Sequence, residues 1–177
     1  MPVPRTAVTE DIDEALKTFH ELDGDVVVKP IFGSKGIGST RITDPEVAYT
    51  AFRAITFYHG VIYIQEFVPY GCLDIRAFVV GDRGVATMGR IAQSWKTNYS
   101  QGARQEPIKL DSQLEKLAIK SAQLIRCKIA GVDILESPKG PLVVEVNSQP
   151  GWRGLQSVTC VNIADAIVDF VLSELKK

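Results

Sequence analysis

Hydrophobic positions along the chain follow two periods. Some stretches repeat every three to four residues and predict amphipathic helices. Thr9 stands as a cap ahead of Ile12, Ala15, Leu16 and Phe19. Asp44-Pro45 places a capping side chain before a proline at the first helical position, and Val47, Ala48, Ala51, Phe52 and Ile55 follow as the inward stripe. Ser112-x-x-Glu115 reads as a capping box before Leu114, Leu117, Ala118, Ser121, Leu124 and Ile125. A last helix is predicted from about Asn162 to Leu175, with Ile163, Ile167, Phe170 and Val171 inward.

Between the helices lie short runs rich in β-branched and aromatic residues, at 25–29, 39–42, 61–67, 75–80, 85–91, 130–135 and 142–146. They arrive mostly in pairs, separated by turn residues such as Gly81-Asp82-Arg83-Gly84. Paired runs favour an antiparallel α+β fold over a doubly wound parallel sheet. The expected organisation is a small lobe over 1–68 and a larger lobe over 69–177.

Composition narrows the function. Lys plus Arg number 20 against 21 Asp plus Glu, a net charge of −1. That balance argues against a whole-surface binder of nucleic acid or membrane. Cys72, Cys127 and Cys160 are scattered, with no CxxC and no Cys/His pair, so they read as reduced thiols of a cytoplasmic protein rather than zinc ligands. No run approaches the ~20 apolar residues of a membrane helix, and residues 1–9 carry no signal core.

Three constellations carry candidate chemistry. The first is VVVKPIFGSKGIGST at 26–40, an apolar strand leading into Gly33, Ser34, Lys35, Gly36 and Gly38. Closely spaced glycines let backbone N–H groups converge on an anion such as phosphate. The segment is neither a Walker A motif nor a dinucleotide fingerprint, and it fits a structural glycine hairpin equally. The second is 130–147. A three-residue turn at Ser137-Pro138-Lys139-Gly140, with Gly140 left-handed, puts Ser137 opposite Pro141. Asp133 then faces Glu145, and Asn147 faces Gly131. Alternation places Asp133, Glu145 and Asn147 on one face and Val132, Ile134, Val144 and Val146 on the core side. Oxygen donors of this kind suit Mg²⁺. They also fit a solvated polar face or salt bridges to nearby arginines. The third constellation is basic: Arg76, Arg90, Lys96, Arg104 and Arg153, suited to clamping phosphate and carboxylate groups. His20 and His59 are the only histidines, and neither stands where a catalytic base is called for.

The ordered series VVVKP, GSKGIG, QEFVP, DIRAFVVG, WKTN, AGVDIL and VVEVNSQPG, from about Pro4 to Leu175, resembles the ATP-grasp ligases of the RimK-like glutamate-ligase group. Each motif is weak alone; their order is specific. The resemblance implies two α+β lobes sandwiching the nucleotide. It implies that Lys29 meets the α-phosphate and that the loop from Gly33 to Gly38 covers the β- and γ-phosphates. Gln65, Glu66, Phe67 and Val68 become the hinge strand along adenine, and Asp74 approaches the ribose. Asp133, Glu145 and Asn147 hold a pair of Mg²⁺ ions, with Mn²⁺ as a substitute. Arg76, Arg90, Lys96, Asn98 and Arg153 hold the acceptor carboxylate, the γ-phosphate or the acyl phosphate.

The implied reaction has two steps. A carboxylate attacks the γ-phosphate to give an acyl phosphate, and an amine, L-glutamate in this group, displaces phosphate to form an amide. Positioning and charge neutralisation carry such chemistry without a protein nucleophile. Within the group, WKTN and PGWRG look most like ligases acting on pterin or deazaflavin cofactors, a peptide acceptor being the other class. Members are commonly homo-oligomers and carry an additional N-terminal domain on the acceptor side, whereas this chain starts almost where the ATP-grasp region starts. The loop after Asn98 reads Gly102-Ala103 where members often have a glycine pair. A second reading follows: an ATP-binding module that is not catalytic without an N-terminal domain or partner. A plain structural α+β domain, the third, requires every motif to be coincidental.

Overall fold

The computed structural model describes residues 1–33, 36–97, 103–109 and 111–176. They divide into two compact units. One is Pro4–Val68, and the other is Pro69–Lys177 together with Met1–Val3. The N-terminal residues join the second unit because the Val143 backbone N–H donates to the Pro2 carbonyl at 2.9 Å. Among the described residues, no helix is long and apolar enough to cross a membrane.

The unit Pro4–Val68 contains β1 (Thr6–Thr9), α1 (Ile12–Glu21), β2 (Val26–Lys29), β3 (Thr40–Ile42), α2 (Pro45–Phe57) and β4 (Ile62–Glu66). Its sheet runs β1-β4-β2-β3 with every pair antiparallel. Ala15 and Phe19 of α1 and Ala48 and Phe52 of α2 close on Val26, Val28, Ile42, Ile62 and Ile64. Asp44 caps α2 as expected, accepting from the N–H groups of Glu46 and Val47 at 2.8 and 3.0 Å. Two expectations are corrected. Asp11, not Thr9, caps α1, accepting from the Glu14 N–H at 2.9 Å, while the Thr9 hydroxyl accepts from the Asp11 N–H. Val47 is exposed, because Ala48 and Phe52 set the inward face and the preceding residue falls beside it.

The second unit contains β5 (Leu73–Val80), β6 (Arg83–Ile91), β7 (Arg104–Pro107), α3 (Ser112–Leu124), β8 (Ile129–Ser137), β9 (Gly140–Asn147), α4 (Arg153–Gln156) and α5 (Ile163–Glu174). The antiparallel sheet runs β7-β6-β5-β8-β9. One face packs Ile75, Ala77, Val79, Val132 and Ile134 against Leu114, Ala118 and Ala122 of α3. On the other, Phe78, Val80 and Met88 meet Leu155 and Ile163. By alternation Asp74, Arg76, Arg90 and Asp133 lie on the same side of the sheet as Phe78.

The capping box is replaced here. Asp111 accepts from the Gln113 and Leu114 N–H groups at 2.8 Å each, and Glu115 instead accepts from the Gly84 N–H. Leu124, Ile125 and Val171, expected inward, are exposed in or just beyond the last turns of α3 and α5. β1, β7 and the short α4 were not expected. β1 and β7 are edge strands, paired on one side only, so they need no continuous apolar run.

The β8–β9 hairpin corrects the turn and keeps the site. Ser137 pairs with Gly140 rather than Pro141, a two-residue loop. The register shifts between Asp133 and Ile134, which restores Asp133 opposite Glu145 and Asn147 opposite Gly131. The irregularity turns Val143 into the core, 3% exposed, in place of Val144. The polar face predicted for this hairpin is therefore reached through a bulge in the strand instead of at the turn.

Gly81, between β5 and β6, has φ +65°. A Cβ there would lie 2.8 Å from Cε2 of Phe170 on α5. Gly81→Ala is expected to destabilise by about 1–2 kcal/mol, combining left-handed strain with a displaced ring. Urea unfolding measures it, and an unchanged midpoint would mean that α5 docks without that contact.

Candidate functional site

In the first unit, β2 and β4 bring two expected residues together. Lys29 Nζ donates to Gln65 Oε1 at 2.6 Å and lies 5.9 Å from the Tyr63 ring centroid. Gln65 is buried and donates to the Thr6 hydroxyl at 3.0 Å. Glu66 points elsewhere, accepting from the Arg5 backbone N–H and from Arg5 Nε at 2.8 and 2.6 Å. The Phe67 ring carries the Arg41 guanidinium 3.5 Å above its centre, and Val68 is buried. Gly36 and Gly38 have φ +69° and +82°, and Gly33 and Gly38 both sit against the Pro30 ring. Both positive-φ glycines are in a conformation that L side chains rarely adopt, and the Ser39 N–H closes the turn on the Gly36 carbonyl at 3.3 Å. Ser34, Lys35 and Asn98 lie outside the described residues.

In the second unit, the sheet aligns charges across strands. Asp74 pairs with Arg90 between β5 and β6, Arg76 with Asp133 between β5 and β8, and Asp133 with Glu145 between β8 and β9. Arg90 grips Asp74 through Nε at 2.6 Å and Nη2 at 2.7 Å, and its Nη2 also reaches Asp133 at 2.8 Å. Arg76 grips Asp133 with Nε and with Nη2, the latter at 2.7 Å. The Thr97 hydroxyl donates to Asp74 at 2.5 Å. The expected basic residues Arg76 and Arg90 are thus one ionic row with Asp74 and Asp133, and the alternative of salt bridges to arginine holds for Asp133.

Electrostatics follow from this geometry. Burial pushes the Asp133 carboxyl up, but Arg90 and then Arg76 outweigh it and hold it below the ordinary carboxylate range. Burial pushes Asp74 up, only partly countered by Arg90, whose charge is shared. Burial lowers Arg90, and the two carboxylates more than reverse it. Asp74 has both oxygens engaged inside the unit rather than free for a ribose.

Glu145 is exposed and makes no ion pair among the described residues, and Asn147 is half-buried. Among those residues, no three His, Cys, Asp or Glu side chains cluster as a metal cage. The donors nonetheless fit Mg²⁺, which prefers one or two carboxylates and completes its shell with water and substrate phosphates. No space opens at Gly131 opposite Asn147: a Cβ there would lie 2.9 Å from Pro150 Cβ and 3.3 Å from Arg76 Cδ.

Lys96 Nζ lies 5.2 Å from the Trp95 ring centroid, and Tyr70 donates its hydroxyl to the Trp95 carbonyl. Arg104 pairs with Glu106 at the exposed edge and, by alternation, on the opposite face from Arg90. Arg153 is exposed and lines an open recess with Gly151, Trp152, Gln156 and Ser157. Trp152 packs edge-on against Phe78, centroids 6.0 Å apart. Two contributors were missed in the sequence. Thr97 stood inside WKTN with a hydroxyl but no charge to mark it. Gln105 sits on the unexpected β7, its Nε2 shielded and without a hydrogen-bond partner among the described residues, pressed against Gly154.

Comparison with known proteins places the chain in a family and matches its fold. The RimK-like ATP-grasp domain family matches residues 1–171. The chain is 40% identical to the tetrahydromethanopterin:alpha-L-glutamate ligase of Methanocaldococcus jannaschii, over 99% of this chain and 62% of that protein. It is 34% identical to a probable alpha-L-glutamate ligase of Rhodopirellula baltica, over 98% of this chain and 44% of that protein. The chain therefore spans only part of the length of these relatives. Among solved structures, the ATP-grasp ligase PsnB complexed with minimal precursor, Mg and ADP superposes with a TM-score of 0.80 at 20% identity, covering 100% of this chain and 55% of that one. A RimK domain protein of Sphaerobacter thermophilus gives 0.75 at 22% identity, covering 96% and 61%. Both likenesses are of fold, the antiparallel α+β architecture described above.

Proposed function

This chain belongs to the RimK-like ATP-grasp family, and on that footing we propose that it binds ATP with Mg²⁺ and joins L-glutamate to an acceptor carboxylate. The observation that carries the reading is the polar face of β8 and β9, where Asp133, Glu145 and Asn147 converge beside Arg76. Those three would hold the divalent ion, which when bound supplies neutralisation of phosphate charge.

The remaining groups take the tasks that the family resemblance implies. Lys29 and the glycine loop around Gly36 and Gly38 meet the phosphates, and the segment from Gln65 to Val68 runs along the base. Arg76, Lys96, Asn98 and Arg153 are the cations and amide for the acceptor carboxylate and the phosphoryl group it receives. Arg90, locked on Asp74 and Asp133, keeps the row in register. The carboxylate oxygen attacks the γ-phosphorus and ADP leaves. The glutamate amine then attacks the acyl carbon, phosphate leaves, and an amide forms. Phosphorylation makes the difference by converting a poor leaving group into a good one. The relative named as a tetrahydromethanopterin ligase supports a pterin-type acceptor over a peptide. The free thiols Cys72, Cys127 and Cys160 support a reducing, cytoplasmic setting.

A second reading is favoured by one fact, the partial coverage of the relatives. In it the chain binds nucleotide but forms no product without the remaining polypeptide. A thermal-shift titration separates the outcomes. Binding to the native state alone adds about 2.7 kcal/mol at a hundredfold excess over Kd. A rise in Tm with ATP that requires Mg²⁺ is expected, followed by glutamate incorporation into a pterin acceptor. The rise without incorporation favours the second reading, and no rise with nucleotide counts against both.

A further inference from the structure

We propose that Arg76 is the built-in counter-cation of the divalent site: it neutralises Asp133 while no divalent ion is present and is released from Asp133 when one binds. The inference rests on the divalent site proposed above. Its ground is an asymmetry between two arginines on one carboxylate. Arg90 has its own anchor, the bidentate pair with Asp74, which Thr97 holds in turn. Among the described residues, Arg76 has Asp133 alone. Among them too, releasing Arg90 would leave Asp74 buried with only the Thr97 hydroxyl, whereas releasing Arg76 leaves Asp133 still paired with Arg90.

Lone pairs and charge both call for the exchange. A carboxylate offers about four acceptor positions, and the two guanidiniums direct three N–H groups at Asp133. One position left over is too little for a hard cation that seeks strong oxygen donors. Asp74, Asp133 and Glu145 carry three negative charges against Arg76 and Arg90, so the row is one charge short of neutral. With a divalent ion in place of Arg76 it is neutral, and with both it is over-positive. Arg76 also lies over Gly131, opposite Asn147, where an incoming ion would reach the third oxygen donor. Once released, its guanidinium stays tethered on β5 and is free to pair with a phosphate oxygen.

The test uses the full chain, first without nucleotide and then with ATP, and includes the single variants Asp133→Asn and Glu145→Gln. Mn²⁺ binding is read from loss of the free-ion electron paramagnetic resonance signal in wild type, Arg76→Met and Arg76→Met/Asp133→Asn. Arg76→Met is expected to bind Mn²⁺ at least about tenfold tighter than wild type, since a positive charge beside the site is gone, and Asp133→Asn is expected to cancel the gain. Equal affinity in wild type and Arg76→Met, with Mn²⁺·ATP binding still weakened by Asp133→Asn or Glu145→Gln, overturns the counter-cation and leaves the divalent site standing. Mn²⁺·ATP binding indifferent to both carboxylate variants overturns the site and the counter-cation with it. A second measurement needs no variant. On titration with Mg²⁺ and a non-hydrolysable ATP analogue, the NMR signal of the Arg76 Nε–H is expected to move as its carboxylate partner is lost, while that of Arg90 stays. An unmoved Arg76 signal at saturation overturns the proposal.

Discussion

Arg90→Ala is expected to destabilise the second unit by about 3–5 kcal/mol, the size of effect seen when one partner of a buried ion pair is removed. Arg90 is 5% exposed and touches two carboxylates that are themselves 5% and 6% exposed. Without it, among the described residues, Asp74 keeps only the Thr97 hydroxyl, and Asp133 keeps only Arg76. Their burial leaves little access for water to replace what each loses. The expected drop in Tm is roughly 10 °C for a chain of this size. Adding Asp74→Asn should recover part of it, because the amide can still receive the Thr97 hydroxyl and no charge is left stranded. Differential scanning calorimetry on the two single variants and the double variant gives the coupling directly. A loss below about 1 kcal/mol, the range of solvated pairs, would mean that the row is wetter than its burial indicates.

Glu145→Gln is expected to separate binding from folding. The side chain is exposed and holds no ion pair among the described residues, so the ligand-free chain should change by no more than about 0.5 kcal/mol. The Mg²⁺-dependent part of ATP stabilisation, up to about 2.7 kcal/mol at a hundredfold excess over Kd, should vanish. Asp133→Asn should lose the same stabilisation and some stability as well, because Arg76 and Arg90 then share one anion fewer. Thermal shifts with ATP, with and without Mg²⁺, measure all of this. A full Mg²⁺-dependent shift in Glu145→Gln would take Glu145 out of the divalent site.

Much of this fold is readable before any coordinates. Asp44-Pro45 and Asn162 start helices because their side chains satisfy N–H groups a few residues away, a local event. The opposition of Asp133 and Glu145 is readable too, although the bulge at Val143 and Val144 delivers it rather than the turn. Edge strands resist such reading. β7 is the polar run Arg104–Pro107, and only its pairing with β6 makes it a strand.

The sequence by itself determined the four longer helices, the strands other than β1 and β7, and the side-by-side placing of Asp133 and Glu145, because periodicity, capping and turn chemistry act over a few residues. Only the tertiary structure decided what those carboxylates face. Asp133 is 57 positions from Arg76, and Asp74 is 16 from Arg90. Their pairing depends on strand order and on which face the register turns inward. Burial then makes that pairing obligatory, since a lone charge cannot be sustained away from water. The sequence marks Arg76 as a basic residue on a strand and, by resemblance, as a cation for substrate, with nothing to pair it with Asp133. The sheet alone makes it the cation that sits on Asp133.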